Sequence, residues 1–250
     1  YAISIPLGIR KAVREGSAFD PGPWVVSAAV FIIGALAAAL GFAAPELDVM
    51  TLPAWDCQPY DRASPNAAIM ARRMLTLSRL ARTSGRATPA ILLTTINAAL
   101  QRLPARALIA KQSLSAAPGN VISMADLQNW LEVNGYLRTS TVRDVGEYAV
   151  RGGILDLNPP GFDTPIRLDF FGDPLESIRT FDAETQRSTE KLDHLDLAPM
   201  SEVILDEAAI TRFRQSYRSE YGGGTSDPLY ESVSAGRKAA GMEHWLPWFH

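Results

Sequence analysis

The sequence predicts an α/β protein in which a parallel-sheet domain is interrupted by a smaller α+β domain containing an antiparallel meander. In the first half of the chain, short apolar segments alternate with helical segments, a pattern typical of parallel sheets. Residues 142–199 instead form short alternating segments separated by glycine, proline and aspartate turns. We expect residues 1–115 to form the first part of the larger domain and residues 116–204 to form the small domain. The chain is expected to return into the larger domain at 205–250.

The first domain is predicted to contain a strand at 24–28, a helix at 31–43, a strand at 47–52, a helix at 65–82 and a strand at 90–95. Ser64 is the expected N-cap of the helix at 65–82, with Pro65 at its first position. Its arginines are predicted to mark its solvent-facing side: Arg72, Arg73, Arg79 and Arg82. Residues 111–120, rich in Ser, Ala, Pro and Gly, are predicted to form a linker.

The small domain is expected to begin with an amphipathic helix at 124–134 that Gly135 ends, followed by the meander at 142–199. After it, Asp206 is predicted to begin a helix that the glycines at 222–224 end. A further short helix is expected at 228–236. These last two helices belong to the return into the larger domain.

Composition limits the classes of function. The 250 residues carry a formal net charge of −3 and only four lysines, whereas a protein that wraps nucleic acid usually has a basic excess. Any DNA contact is therefore expected to be local, or to be made by another part of a longer protein. Cys57 is the single cysteine, which excludes an internal disulfide framework, and the few scattered histidines do not form a compact zinc site. Because the chain starts at Tyr1 and stops after an apolar run, we interpret it as a fragment.

Residues 24–44 contain no charged side chain and have the length of a membrane span, with Arg10, Lys11 and Arg14 upstream. The same run is rich in alanine and also divides into a buried strand and a helix, as in α/β proteins. Both interpretations stay open at this point.

Motifs for catalysis are missing. A Walker A loop requires Gly-Lys followed by Ser or Thr, and no glycine precedes any lysine, so nucleotide hydrolysis by this segment is not expected. The Ser-x-x-Lys match from Ser188 to Lys191 lies in a polar turn, and Cys57 in its tryptophan-containing loop is typical of packing. We predict no catalytic residue and no metal or cofactor site in this chain.

The segment from Ile166 to Phe171 alternates, so that an apolar triplet faces the core and Phe171 is left outside beside Arg167. Arg151, next to Gly152 and Gly153, lies in the preceding strand, where the glycines leave room for the backbone of a partner. If the strands pair, Arg151, Arg167 and Phe171 form one patch with the composition of a binding hot spot. Alternatively, Phe171 covers a sheet edge or packs on a neighbouring domain, and Arg151 forms a surface ion pair with Glu147.

Four segments are distinctive: LPAWDCQPYDRASP at 52–65, TTINAALQRLP at 94–104, GEYAVRGGILDLNP at 146–159 and RLDFFGD at 167–173. Together they resemble the bacterial transcription-repair coupling factor family, over the chain from about residue 47 to residue 250. The last two segments are the most specific, and they are shared with the excision-repair protein UvrB.

The resemblance implies a degenerate RecA-like domain interrupted by a small UvrB-like domain. It also implies a non-catalytic adaptor that docks UvrA through Arg151, Arg167 and Phe171, in a cytoplasmic protein of nucleotide excision repair. ATP and magnesium, duplex DNA and stalled RNA polymerase would be handled by a translocase motor elsewhere in the full-length protein. The family further implies that a C-terminal domain masks the small domain until the motor engages.

Two other functions are weighed against the adaptor. One is a UvrB-like ATPase that binds damaged DNA, which the missing phosphate loop and the short link at 55–65 disfavour. The other is a membrane-anchored protein using residues 24–44, which the resemblance to a soluble module makes less favoured. The sequence departs from the family at residues 30–40, where an apolar helix stands in place of a charged one.

Overall fold

The computed structural model describes residues 23–58, 62–82, 90–222 and 226–249. The segment before the small domain pairs two strands in parallel, with Asp48 opposite Ala90 and Leu52 opposite Thr94. The parallel pairing expected for this segment is therefore present. Its elements are α1 (Pro23–Ala43), β1 (Asp48–Leu52), α2 (Ala67–Arg82), β2 (Ala90–Thr94), α3 (Ile96–Leu100) and α4 (Arg106–Lys111).

The start of this segment differs from the prediction. Residues 24–28 are the first turns of α1 and not a strand. Proline is favoured at the first position of a helix, and the alanine-rich run that follows has high helix propensity, so one helix continues through the valines at 25 and 26. The described part of α1 leaves Ile32, Leu36 and Phe42 exposed. Within the described part of the chain, no helix is both long and apolar enough to cross a membrane.

The N-cap predicted for α2 is also wrong. The helix begins at Ala67, and Asn66 Oδ1 accepts a hydrogen bond from the backbone N–H of Ala68 at 2.8 Å. Ser64 Oγ instead donates to Glu243 Oε2 at 2.7 Å and accepts from the N–H of Gly241 at 3.0 Å. The Ser64 hydroxyl does not cap α2, because Glu243 and Gly241 are its hydrogen-bond partners. It thus joins this loop to the end of the described chain.

A small core holds α2 against β1 and α4, with Leu52, Met74, Leu77, Ala81 and Ile109 buried together. The prediction that all four arginines of α2 face solvent is wrong for Arg73, which is fully buried. Its Nη1 donates to the carbonyl of Pro53 at 2.6 Å, and its other nitrogens face Glu202.

The elements of the small domain are β3 (Leu114–Ala116), α5 (Met124–Val133), β4 (Leu137–Arg138), β5 (Glu147–Arg151), β6 (Ile154–Leu157), β7 (Ile166–Phe170), β8 (Leu175–Phe181), β9 (Ser188–Leu192) and β10 (Leu195–Leu197). One six-stranded sheet has the order β4-β5-β6-β7-β8-β9. Neighbouring strands from β5 to β9 are antiparallel, which confirms the predicted meander, and β4 pairs with β5 in parallel.

The predicted linker at 111–120 is wrong in its middle, because β3 pairs there with β10 in antiparallel register. Ala116 is buried in this ladder, opposite Leu195. A strand of three residues has no readable period of its own, and its partner lies about eighty residues later. The pairing brings the two ends of the small domain together.

The inner face of the sheet carries the main core. Ile166, Leu168 and Phe170 are buried there, as their alternation predicts. Leu127 and Leu131 of α5 pack in the same cluster. Helix α5 ends before Gly135, whose φ of +102° is readily adopted by glycine.

The final segment consists of α6 (Glu207–Tyr221), α7 (Pro228–Ser234) and a 3₁₀-helix (Met242–Trp248). As predicted, Asp206 precedes the first of these, and its Oδ1 accepts from the N–H of Ala209 at 2.7 Å. Gly222 follows α6 with a φ of +81°, while the glycines at 223 and 224 lie outside the described residues. Aromatic side chains form the core of this segment: Phe213, Tyr217, Tyr230, Trp245, Trp248 and Phe249.

Candidate docking surface on the small domain

The outer face of the sheet brings Arg151 and Arg167 onto one carboxylate. Asp156 lies directly opposite Arg167 in the β6–β7 ladder, and Arg151 ends β5, opposite Ile154 of β6. Asp156 Oδ1 accepts from Arg167 Nε at 2.7 Å, and Oδ2 accepts from Arg167 Nη2 at 2.9 Å and from Arg151 Nη2 at 2.8 Å. Because two guanidinium groups share one carboxylate, the three side chains carry a net positive charge.

Burial divides the roles of these residues. Only 1% of the Asp156 side chain is exposed, against 15% of Arg167 and 51% of Arg151. The guanidinium of Arg167 stacks over the ring of Phe181, 4.7 Å from its centroid. The hydrogen bonds to Asp156 raise the pKa of Arg167, although burial alone would lower it. Arg167 is therefore fixed and charged, while half of Arg151 is accessible to a partner.

The ion pair between Arg151 and Glu147, the alternative considered for this arginine, is not formed. Glu147 Oε2 accepts from the backbone N–H groups of Arg143 at 2.8 Å and Asp144 at 2.9 Å, and so stabilises the preceding turn. Arg151 faces Asp156 instead, and its placement depends on the same carboxylate as that of Arg167.

Phe171 follows β7 at the tip of the β7–β8 connection. Its backbone N–H donates to the carbonyl of Pro174 at 3.1 Å, so the turn is closed, yet 78% of the residue is exposed. The register of the β7–β8 ladder shifts between Asp169 and Phe170, where the strand leaves regular pairing. Within the described residues, the ring is not packed over a sheet edge or against another domain. It presents a free aromatic surface on the same β7 segment as Arg167.

Gly152 and Gly153, between β5 and β6, have different reasons to be glycine. A Cβ on Gly152 would meet no heavy atom within 4 Å, and its φ is +61°. A Cβ on Gly153 would lie 2.7 Å from the carbonyl oxygen of Phe170. The prediction that both leave room for a partner is therefore wrong for Gly153, which lets the neighbouring strand of the same sheet approach.

Sequence reasoning missed Asp156 and Gln186 as parts of this surface. Asp156 had a visible signal, since a carboxylate in the apolar run of β6 is costly to bury unless it is paired. Gln186 had none, because its role depends on a turn that returns to the arginines from the far end of β8.

The structure places two other groups considered from the sequence, the loop of Cys57 and the match from Ser188 to Lys191, in different parts of the fold. Cys57 Sγ contacts His244 Nε2 at 3.8 Å, and His244 packs edge-on against Trp55. Ser188 and Lys191 are exposed on β9, at one edge of the six-stranded sheet. Among the residues that the structure describes, no group of three or more His, Cys, Asp or Glu could hold a metal ion.

Residues 114–203, which include this surface, match the model of the UvrB interaction domain family. Most of the chain is similar to proteins named transcription-repair-coupling factor. The protein from Rickettsia bellii is 36% identical over 210 residues, covering 84% of this chain and 18% of the relative. The chain is a module of the transcription-repair-coupling factor family. The relative from Haemophilus influenzae is 36% identical, and the match covers 81% of this chain and 18% of the relative. The relative from Escherichia coli is 37% identical, and the match covers 80% of this chain and 17% of the relative.

The chain thus spans under a fifth of the length of these family members. The family model covers the small domain with the β3–β10 ladder that closes it, and it contains every residue of the patch. The name of these relatives refers to the coupling of transcription and repair.

Proposed function

We propose that the module is a non-catalytic adaptor that docks UvrA in transcription-coupled nucleotide excision repair. The observation that supports this most directly is that an exposed phenylalanine and two arginines on one shared carboxylate lie on the same sheet, inside the region that matches the UvrB interaction domain. Arg151, Arg167 and Phe171 are the proposed contact residues.

The chemistry of the patch suits a protein partner. Aromatic and arginine side chains are enriched among the residues that dominate the binding energy at protein interfaces. Phe171 supplies an apolar anchor, and the half-exposed Arg151 supplies charged donors on the same sheet. Arg167 is largely buried already, so we assign it mainly to hold the surface in shape while its exposed edge meets the partner.

The remaining roles are proposed for the whole protein. A translocase motor outside this segment would bind ATP and magnesium, move on duplex DNA and displace stalled RNA polymerase in the cytoplasm. A C-terminal domain would mask the small domain until then. For the module itself we propose the boundaries 1–115, 116–204 and 205–250. The β1–β2 pair would be part of a degenerate RecA-like sheet that the small domain interrupts.

Titration of the chain with purified UvrA, without nucleotide, tests the proposal. Phe171→Ala should weaken binding by about thirtyfold, corresponding to about 2 kcal/mol for the loss of an aromatic anchor. Ile96→Ala is the matched control, because Ile96 is 76% exposed and lies outside the matched region. Equal affinities of the two variants would exclude this face as the docking surface, and no binding by the unmodified chain would reject the adaptor function.

A nucleotide titration separates the adaptor from the alternative of a UvrB-like ATPase. The adaptor predicts no saturable binding of ATP with magnesium to this chain, since it has no Walker A loop. Saturable binding together with unchanged affinity of Phe171→Ala for UvrA would favour the ATPase.

A further inference from the structure

The turn between β8 and β9, residues 182–187, folds over the two arginines of the patch. Asp182 Oδ1 organises it by accepting from the backbone N–H of Thr185 at 2.6 Å and of Glu184 at 3.2 Å. The N–H of Gln186 donates to the carbonyl of Asp182 at 2.8 Å. Gln186 has a φ of +59°, and within the described ranges no other non-glycine residue has a positive φ. A left-handed conformation costs energy for a residue with a Cβ, so the surrounding contacts must hold it.

Both acceptor groups of Gln186 face the arginines. Its backbone carbonyl accepts from Arg167 Nη1 at 3.2 Å, and its side-chain Oε1 accepts from Arg151 Nη2 at 3.2 Å. The amide Nε2 donates to the carbonyl of Ala183 at 2.8 Å. Since a carbonyl only accepts, this bond fixes which end of the amide meets Arg151.

The contact matters most for Arg151, whose side chain is half exposed. Asp156 and Gln186 both hold its Nη2, and within the described part of the chain its Nε and Nη1 have no hydrogen-bond partner. Ordering a long side chain before association lowers the entropic cost of binding. The free donors of Arg151 are thereby kept in one orientation.

We propose that Gln186 is a positioning residue of the docking surface, which holds Arg151 so that the free part of its guanidinium faces the partner. This inference rests on the proposed function, because UvrA is the partner whose binding it improves. Gln186 acts through Arg151 and does not need to touch UvrA.

Two substitutions separate the side chain of Gln186 from its backbone. Gln186→Gly and Gln186→Asn both tolerate the left-handed conformation and keep the carbonyl that faces Arg167. The first removes the amide, and the second shortens it by one methylene, so both lose the contact to Arg151. The pair also guards against a fold defect specific to either substitution.

A double-mutant cycle with UvrA is the decisive measurement. Each Gln186 variant should weaken binding about fivefold in the unmodified chain and less than about twofold when Arg151→Ala is also present, because that contact is then already absent. In NMR spectra of the free chain, the order parameter of the Arg151 Nε–H group should fall in both variants, while that of Arg167 stays unchanged. Equal losses with and without Arg151→Ala, or unchanged binding, would overturn the inference.

Failure of the inference and failure of the proposed function give different results. If Phe171→Ala and Arg167→Ala weaken UvrA binding but the Gln186 variants do not, only the positioning role is rejected. If Phe171→Ala, Arg167→Ala and Arg151→Ala all bind like the unmodified chain, the docking function of this face is rejected, and the positioning role with it.

Discussion

Arg73 and Glu202 form an ion pair in which both side chains are completely buried, although the residues are 129 positions apart. The guanidinium donates to both carboxylate oxygens, and Trp55 Nε1 donates to the same carboxylate at 3.2 Å. Arg73 lies in α2, before the small domain, and Glu202 follows β10, after it. The pair therefore ties the connection that leaves the small domain to a helix that precedes this domain.

Glu202→Gln should lower the free energy of unfolding by about 3 kcal/mol, because it leaves a buried guanidinium without its counter-charge. Arg82→Ala is the comparison, since its ion pair with Asp196 leaves about 40% of each side chain exposed and should contribute less than about 1 kcal/mol. Denaturant unfolding of both variants measures the difference. Similar losses would mean that the buried pair contributes no more than an exposed one.

Truncation of Phe171 should leave the fold intact, because its ring is mostly exposed. Phe171→Ala is expected to change the free energy of unfolding by less than about 0.5 kcal/mol, whereas Leu168→Ala, in the core of the same strand, should lower it by about 3 kcal/mol. Denaturant unfolding of the two variants measures this. A large loss for Phe171→Ala would show that the ring has a structural role.

The sequence predicts a structural feature well when the residues that determine the feature lie close together along the chain. The alternation of Ile166, Leu168 and Phe170 and the cap at Asp206 are local, and both are found where expected. The burial of Arg73 depends on a carboxylate 129 residues later, so the helical period alone predicts a solvent-exposed arginine. Strand β3 depends on pairing with β10, so composition alone predicts a linker there. Local patterns carry no information about such partners.

The candidate site shows the same division. The alternation at 166–171 predicts the exposure of Phe171, whereas the pairing of β6 with β7 is a condition of the predicted patch that the structure fulfils. The shared carboxylate was foreseeable only in part, because burial of Asp156 depends on arginines from two neighbouring strands. Gln186 reaches the patch through the conformation of a turn, which composition does not determine.

Asp156→Ala should be more damaging than the loss of either arginine contact alone. It removes the buried carboxylate and leaves Arg167, mostly buried on Phe181, without its counter-charge, so we expect a loss of about 2 kcal/mol. Arg151→Ala should cost less than about 1 kcal/mol, because that side chain is half exposed. Thermal or denaturant unfolding compares them, and equal costs would mean that Asp156 is not the centre of the cluster.

The two adjacent glycines give a test of local geometry. Gly153→Ala places a methyl group 2.7 Å from the carbonyl of Phe170 and should lower the free energy of unfolding by about 2 kcal/mol or more. Gly152→Ala meets open space and should cost only about 1 kcal/mol, for its positive φ. If the order of the two losses were reversed, the close approach of Gly153 to Phe170 would be excluded.

The turn that carries Gln186 should respond to pH through Asp182. Hydrogen bonds from the backbone N–H of Thr185, then from its hydroxyl, hold the pKa of the Asp182 carboxyl below its ordinary value, more than offsetting a small desolvation effect. Because the folded pKa is the lower one, the stabilising contribution is complete above the pKa of an unfolded aspartate, about 3.9, and is lost as the pH falls through the folded pKa. The turn should thus stay ordered at neutral pH.

An NMR titration of the Thr185 amide measures this pKa directly. The amide signal should move only at a pH below the ordinary range of aspartate, and Asp182→Asn, which keeps an acceptor but does not titrate, should abolish the movement. The N–H of Gln186 donates to the carbonyl of Asp182, and the side chain of Gln186 accepts from Arg151. The order parameter of the Arg151 Nε–H group should therefore fall over the same pH interval. A midpoint at or above the ordinary value would mean that the carboxylate does not organise the turn, and Gln186 would then need another source for its left-handed conformation.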